Sequence, residues 1–351
     1  MKWLKEWLKR SAFIVKVYEC IALKVKAVKH KFIMIFINRP KAKHSYGEKN
    51  KDKTFFLIPA SYKSGLYSNA LLVLPVMQYA IRRGYVPVLD FKTTFVAMMQ
   101  DSDKKGLENA WEYYYEQPGK VSIEEVFQSK KVIHYSKEAY DIKRPSYFTK
   151  FPAPYRELLY WNKFIAENLH LQKSIAEHIE QTAAKLFAGK KKILGVGMRA
   201  FFRALYCSKE FSIEGHPAVP DCEEMIQIIE TKMKEWGSEY IFLSVDDREY
   251  QQNIVNYFGD KCLFIERHLH HLFVNNIPLP LHDSKYWDQI HCELQGVPTR
   301  EYTEEYITEV YLLSRCDSLY SCRNGGSIFA CLLNGGKYEH VEMYDEGEYH
   351  L

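Results

Sequence analysis

Arg199 stands directly after KKILGVGM (191–198), an apolar run that reads as a buried strand. The carboxyl end of a strand is where an open α/β sheet binds its ligands. A guanidinium there can grip a pyrophosphate through two parallel hydrogen bonds and neutralise the charge that gathers on a departing nucleotide. A surface arginine closing a loop is the plainer alternative. Asp246 and Asp247 follow EYIFLSV (239–245) at the equivalent edge of the next unit. They can hold a ribose or a base edge, or cap the following helix, and at least one is expected to be a cap. Asn324-Gly325-Gly326-Ser327 separates the run DSLYS (317–321) from an apolar helical stretch. Small residues at a helix N-terminus let backbone N–H groups approach a phosphate. Ser64 and Gly65 lie in the loop SYKSGLYSN (61–69), which either occupies the matching place in the first half of the chain or is a simple turn.

Other candidate chemistry falls away on spacing. Gly195-x-Gly197 lacks the third glycine of a dinucleotide fingerprint and lies inside a strand, which argues against NAD. There is no G-x-x-x-x-G-K-[ST] and no G-x-S-x-G. The imidazoles of His268, His270 and His271 have no carboxylate or thiolate at useful spacing and read as a surface loop. Asp246-Asp247 is not the D-x-D of a Mg²⁺-dependent sugar transferase, so no metal and no cofactor are expected. The eight cysteines form no C-x-x-C pair and read as free thiols of a reducing compartment.

The elements that must position these residues alternate. A strand at 54–60, a helix over about 70–83 and a strand at 85–91 make a βαβ unit and imply a parallel sheet. Helices near 107–116 and 122–128, a strand at 131–134 and a long helix over about 155–187 follow. The alternation then restarts. Strands are expected at 191–198, 239–245, 261–266, 317–321 and 340–344, with helices at 221–236, 248–258, 303–315 and 326–333. Two doubly wound Rossmann-like domains facing a cleft, 45–188 on the acceptor side with a long connecting helix and 189–351 on the nucleotide-sugar side, is the expected α/β architecture.

Charge is distributed unevenly. Residues 1–44 hold twelve Lys/Arg against Glu6 and Glu19, while the whole chain carries only +4. The body is therefore acidic, which disfavours nucleic acid as a partner. In the first segment Trp3, Trp7, Ile14, Tyr18, Ile21, Val25, Val28 and Phe32 share one helical face, with lysines interspersed. An amphipathic helix of that kind suits an anionic membrane surface, although docking on the protein's own body is also open. No apolar run nears the ~18 residues of a spanning helix, and no cleavable signal peptide is expected.

The ordered elements GVGMRAFFRALY with His216-Pro217, FLSVDDREYQQNIVNYFGDKCLFI, YTEEYITEVYLLSRCDSLYSCRNGGSIFACLL and SGLYSNALLVLPVMQYAIRRGYVPVLD resemble the fucosyltransferase superfamily. The similarity is to the α-1,6 and nodulation fucosyltransferases and, more distantly, to the protein O-fucosyltransferases. It covers about 190–345 and, more loosely, 55–92. It implies a GT-B fold, a GDP-sugar donor, inversion at the anomeric carbon without a metal, and a β-phosphate held by Arg199. It also implies that Glu309 lies near the nucleotide and that Gly325, Gly326 and Ser327 match a phosphate-binding turn. Gly197 replaces the motif's histidine, and Ala200 and Phe201 replace its second polar stretch. The family's acid before His-Pro has no aligned equivalent, leaving Glu214 and then Glu210 as candidate bases. The expectation is an inverting transferase that extends a glycan or lipid-linked saccharide in surface polysaccharide synthesis, peripheral on the cytoplasmic face of a membrane. The alternative is a degenerate GT-B protein that binds nucleotide or glycan without turnover.

Overall fold

The computed structural model describes residues 43–61, 65–94, 96, 99–137, 139–200, 220–269, 273–274, 277–278 and 298–344. The basic segment 1–42, Ser64, Glu210 and Glu214 lie outside the described residues.

The chain forms a mixed α/β structure with two parallel sheets. In the first half β1 (Phe55–Pro59) leads through α1 (Leu66–Arg82) to β2 (Val86–Asp90), and the single turn α2 (Ile123–Val126) precedes β3 (Val132–His134). Their order is β2-β1-β3. α3 (Tyr155–Asn168) and α4 (Lys173–Leu186) follow, then β4 (Ile193–Met198), α5 (Cys222–Trp236), β5 (Tyr240–Val245), α6 (Arg248–Phe258) and β6 (Cys262–Leu263). A small antiparallel pair, β7 (Phe273–Val274) and β8 (Ile277–Pro278), stands apart. α7 (Thr299–Leu313), β9 (Ser318–Cys322), α8 (Gly325–Asn334) and β10 (His340–Tyr344) complete the described chain. The larger sheet is ordered β10-β9-β4-β5-β6. Strand order reverses between β4 and β9, the place where an open α/β sheet holds its ligand crevice, beyond the carboxyl ends of the strands.

Side-chain alternation assigns each strand face. In β4, Leu194, Val196 and Met198 pack with Met225 and Ile229 of α5 and Ile254 of α6. The opposite face carries Gly195 and Gly197, and a Cβ on Gly195 would meet Leu313 and Cys316 at 3.1–3.3 Å. The glycines therefore let α7 lie close on the strand. One apolar core runs through the middle of the molecule, from Phe56 and Ile58 of β1 through α1, α3 and α4 to Phe242 of β5, Leu313 of α7 and Phe329 of α8. Tyr67 of α1 bridges the halves, its ring 4.7 Å from that of Phe329 and its hydroxyl 3.5 Å from the Ile307 carbonyl.

Several expected boundaries move: the strand expected at 261–266 is only Cys262–Leu263, the helix expected at 303–315 begins at Thr299, and others shift for a visible reason. α1 starts at Leu66, inside the segment expected as a loop, because Asn69 turns its amide back to grip Ser61 N (2.7 Å) and Ser61 O (3.1 Å). Its polar first turn thus closes the connection to β1. The helix expected over 155–187 is two helices. The break at 169–172 is held by Glu116 N to His170 O (2.8 Å) and Gln172 N to Tyr114 O (2.9 Å), so tertiary pairing outcompetes helical continuation. The helices expected near 107–116 and 122–128 shrink to a 3₁₀ turn, Ala110–Tyr113, and one α turn.

Pro75 sits inside α1 and removes the hydrogen bond to the carbonyl four residues back. That carbonyl, Leu71 O, accepts instead from the buried Tyr147 hydroxyl at 2.8 Å. Tyr147→Phe should therefore cost about 1–3 kcal/mol in denaturant unfolding, the penalty of a buried unsatisfied acceptor. In a Pro75→Ala background the restored helical N–H should supply the bond and reduce that cost. Equal costs in both backgrounds would contradict the assignment.

Candidate active site

Arg199 lies immediately beyond β4, one-third exposed, with its Nε 3.6 Å from Asp246 Oδ2. Burial works against its charge, and the field of Asp246 with Tyr306, Tyr302 and Cys322 more than offsets this, so the net shift is upward. Asp246 and Asp247 extend β5. Asp247 caps α6, its carboxylate accepting from Tyr250 N at 2.8 Å, and burial raises its pKa. One of the paired aspartates is thus a cap, and the other faces an arginine.

Behind this pair lies a second one. Arg267, 1% exposed, places Nε 3.1 Å from Oε1 of Glu309, which is fully buried. Arg267 also donates to the Val245 carbonyl at 3.2 Å, and the Ser244 hydroxyl donates to Glu309 Oε2 at 2.8 Å. Burial pushes Glu309 up to about 7, against the Arg267 guanidinium and the Ser244 hydroxyl, which hold it down. Two groups from elsewhere in the chain therefore fix the last residues of β5, and with them Asp246. The contact is close but imperfect: among the described residues Arg267 Nε and Nη1 and Glu309 Oε1 lack a well-aligned hydrogen bond. The Arg267 guanidinium lies 5.3 Å from the Tyr302 ring and 5.9 Å from that of Tyr306.

α8 closes the other side of the crevice. Asn324 is its cap, accepting from Ser327 N at 3.0 Å. Ser327 is 2% exposed and its hydroxyl bonds that of Ser321, which in turn donates to Gly197 O at 2.7 Å. Both donors of Ser327 are thus directed into the protein. Among the described residues no acceptor takes the backbone N–H groups of Gly325 or Gly326, the first donors of α8, of which Gly325 is half-buried and Gly326 buried. A Cβ on Gly326 would sit 2.2 Å from Tyr306 Oη, and one on Gly325 would sit 3.0 Å from Ser68 N. Close packing alone accounts for the two glycines. Gly65 is the residue before α1, and the first turn of α1 reaches Gly325 through Ser68. The N-termini of α1 and α8 therefore meet, each carrying partial positive charge.

The structure brings Arg199, Asp246, Asp247, Gly325, Gly326 and Ser327 to one sheet edge, with Glu309 buried behind it. Arg267 is absent from the sequence candidates, although it follows KCLFIE just as Arg199 and Asp246 follow their own strands. Its position after the third successive strand was the available signal. His268 is an exposed loop residue, as expected, but Glu305 of α7 reaches it, with Nδ1 at 2.8 Å and the backbone N–H at 2.9 Å, while His270 and His271 lie outside the described residues. Sequence spacing cannot show a partner that tertiary folding supplies.

No family model matches the sequence, and no curated relative does. Among solved structures the chain is similar to fucosyltransferase NodZ from Bradyrhizobium, at 13% identity over 79% of this chain and 92% of that one, with a TM-score of 0.45. It is similar to NodZ alpha-1,6-fucosyltransferase soaked with GDP-fucose, at 14% identity over 84% of this chain and 100% of that one, TM-score 0.46. It is also similar to POFUT1 in complex with GDP-fucose, at 9% identity over 85% and 98% of the two chains, TM-score 0.45.

Removing the buried carboxylate should expose what the second pair does. Glu309→Ala leaves the Arg267 charge buried without its partner and should cost about 3–5 kcal/mol, whereas Glu309→Ala with Arg267→Met should recover most of that. Chemical denaturation of the two variants measures this. A loss below about 1 kcal/mol in the single variant would show that Glu309 is already neutral or relieved by water.

Proposed function

We propose that the chain is an inverting, metal-independent glycosyltransferase of GT-B type that uses a GDP-sugar donor. The observation that carries this is the position of Arg199, partly exposed at the strand-order reversal between β4 and β9, on the sheet edge that also carries the N-terminus of α8 at Gly325 and Gly326. Such a crevice suits a nucleoside diphosphate: one guanidinium and two helix N-termini all favour anionic oxygen. The guanine assignment and metal independence both follow from the sequence resemblance.

In the reaction an acceptor hydroxyl oxygen forms a bond to the anomeric carbon from the face opposite the donor phosphate. The bond from that carbon to the β-phosphate oxygen breaks, and its electron pair leaves with the nucleoside diphosphate. Arg199 and the α8 N-terminus face the oxygen on which charge grows, so their interaction strengthens towards the transition state. The hydroxyl proton passes to a base, with Glu214 and then Glu210 the candidates carried from the sequence. Asp246 orients Arg199, and the Arg267–Glu309 pair fixes Asp246. The acceptor is a glycan or lipid-linked saccharide of surface polysaccharide synthesis, presented at a cytoplasmic membrane face that the basic segment 1–42 engages. Among the described residues no helix is long and apolar enough to cross a membrane.

Two measurements test this reading. GDP at a hundredfold excess over its Kd should stabilise the folded protein by about 2.7 kcal/mol. Stabilisation by UDP or CMP and not by GDP would remove the guanine assignment and leave the site standing. Arg199→Ala should lower kcat by roughly 10²–10³-fold with a smaller loss of donor affinity, because the contact is made most strongly as the bond breaks. Arg199→Lys should rescue little, since an ammonium lacks the planar fork. GDP binding with no turnover of any GDP-sugar would identify a binding protein instead.

A further inference from the structure

The first sheet carries a second feature that the transferase reading does not use. β1, β2 and β3 are parallel, so their amino-terminal ends lie along one edge. Lys53 precedes β1, Lys130 and Lys131 precede β3, and Arg82 and Arg83 precede β2. Cross-strand bonds lock these approaches together: Phe55 N to Lys131 O at 2.9 Å, Val86 N to Thr54 O at 2.9 Å and Lys130 N to Lys49 O at 3.0 Å. Lys49 and Lys51 lie in the same turn region, and Lys120 follows Gly119, which packs against Val86 and Pro87. Seven of these eight cations are exposed and Lys131 is half-buried. Glu48, Asp52 and Glu125 are the nearby acids. Glu48 pairs with Lys51 (2.9 Å) and Lys130 (3.0 Å), and Glu125 accepts from the Asn50 amide (2.9 Å). The edge keeps a clear excess of positive charge on a body that is otherwise acidic.

We infer that this amino-terminal edge of the first sheet is a docking surface for an anionic phospholipid bilayer. Long, exposed lysines on a broad edge match a diffuse layer of negative headgroups better than a single phosphate, because each side chain contributes by proximity and not by a shaped pocket. The described chain begins beside this edge, where His44 pairs with Val132, and the sequence that precedes it interleaves lysines with an apolar stripe. That composition favours lipid over nucleic acid. Docking fixes an orientation. Strands of five residues carry the chain roughly 17 Å from the lysine edge to the carboxyl ends at which α1 begins. The crevice would therefore stand clear of the headgroups and receive an acceptor hydroxyl that projects from the membrane.

The full-length protein should co-sediment with vesicles of phosphatidylcholine containing about 30% phosphatidylserine, and much less with phosphatidylcholine alone. The variant K49E/K51E/K130E/K131E should bind the anionic vesicles at least about tenfold more weakly with an unchanged melting temperature. The neutral K49Q/K51Q/K130Q/K131Q variant should fall between, and it serves if charge reversal impairs folding. Reversing Lys163, Lys234, Lys261 and Lys337, all exposed elsewhere on the body, should have little effect. The inference is overturned if the edge variants bind as the parent does, or if the control reversal weakens binding as much. Loss of duplex DNA binding with vesicle binding intact would also overturn it, identifying a nucleic-acid surface. None of these outcomes depends on the donor assignment.

Discussion

A guanidinium and a carboxylate removed from water govern the geometry of the crevice. Arg267 and Glu309 come from the segment after β6 and from α7, and between them they hold Ser244 and Val245 at the end of β5. A buried pair of this kind does little for net stability, because desolvating both ions offsets most of their attraction. Its effect is on position. With Val245 O and Ser244 Oγ both engaged, the strand end that leads into Asp246 is anchored, and Arg199 faces the carboxylate that follows it. The cost of the pair is visible in Glu309, which burial pushes up to about 7 even with a cation 3.1 Å away.

The two glycines that open α8 act on the same geometry from the other side. Gly326 admits the Tyr306 hydroxyl, and Gly325 admits the first turn of α1, so α7, α8 and α1 converge within one turn of helix. Tyr306 also neighbours the Arg267 guanidinium, which links this packing to the buried ion pair. A side chain at Gly326 would collide with the Tyr306 hydroxyl, and one at Gly325 would press on the first turn of α1, so either would force a neighbouring element to shift.

Much of this was legible in the sequence. The strands at β1, β2, β4, β5, β9 and β10 follow from apolar runs, and the spans of α6 and β10 match the periodic segments residue for residue. The meeting of Arg199 with Asp246 was implied once both were placed at strand ends in one parallel sheet. What stayed hidden depends on distant partners. Asn69 looks like a loop residue until Ser61 is seen beside it, and the 169–172 break arises only because Tyr114 and Glu116 offer competing hydrogen bonds. Ser327 reads as a phosphate donor from its place in the turn, yet its hydroxyl is directed at Ser321, a contact that no local spacing encodes.

The charge pattern joins these observations. A body that is acidic overall repels phosphorylated ligands at long range, so an anion site must overcome that field locally. At the crevice it does so with one partly exposed arginine and two helix ends, while the second arginine is neutralised internally by Glu309. That arrangement gives directed hydrogen bonds and little diffuse attraction. The lysine edge is the converse: many exposed cations, no shaped recess and no convergent amides. Parallel strands place the two at opposite ends of the first sheet, so they do not compete for the same anions. A diphosphate is selected where donors converge, and a charged surface is engaged where they spread.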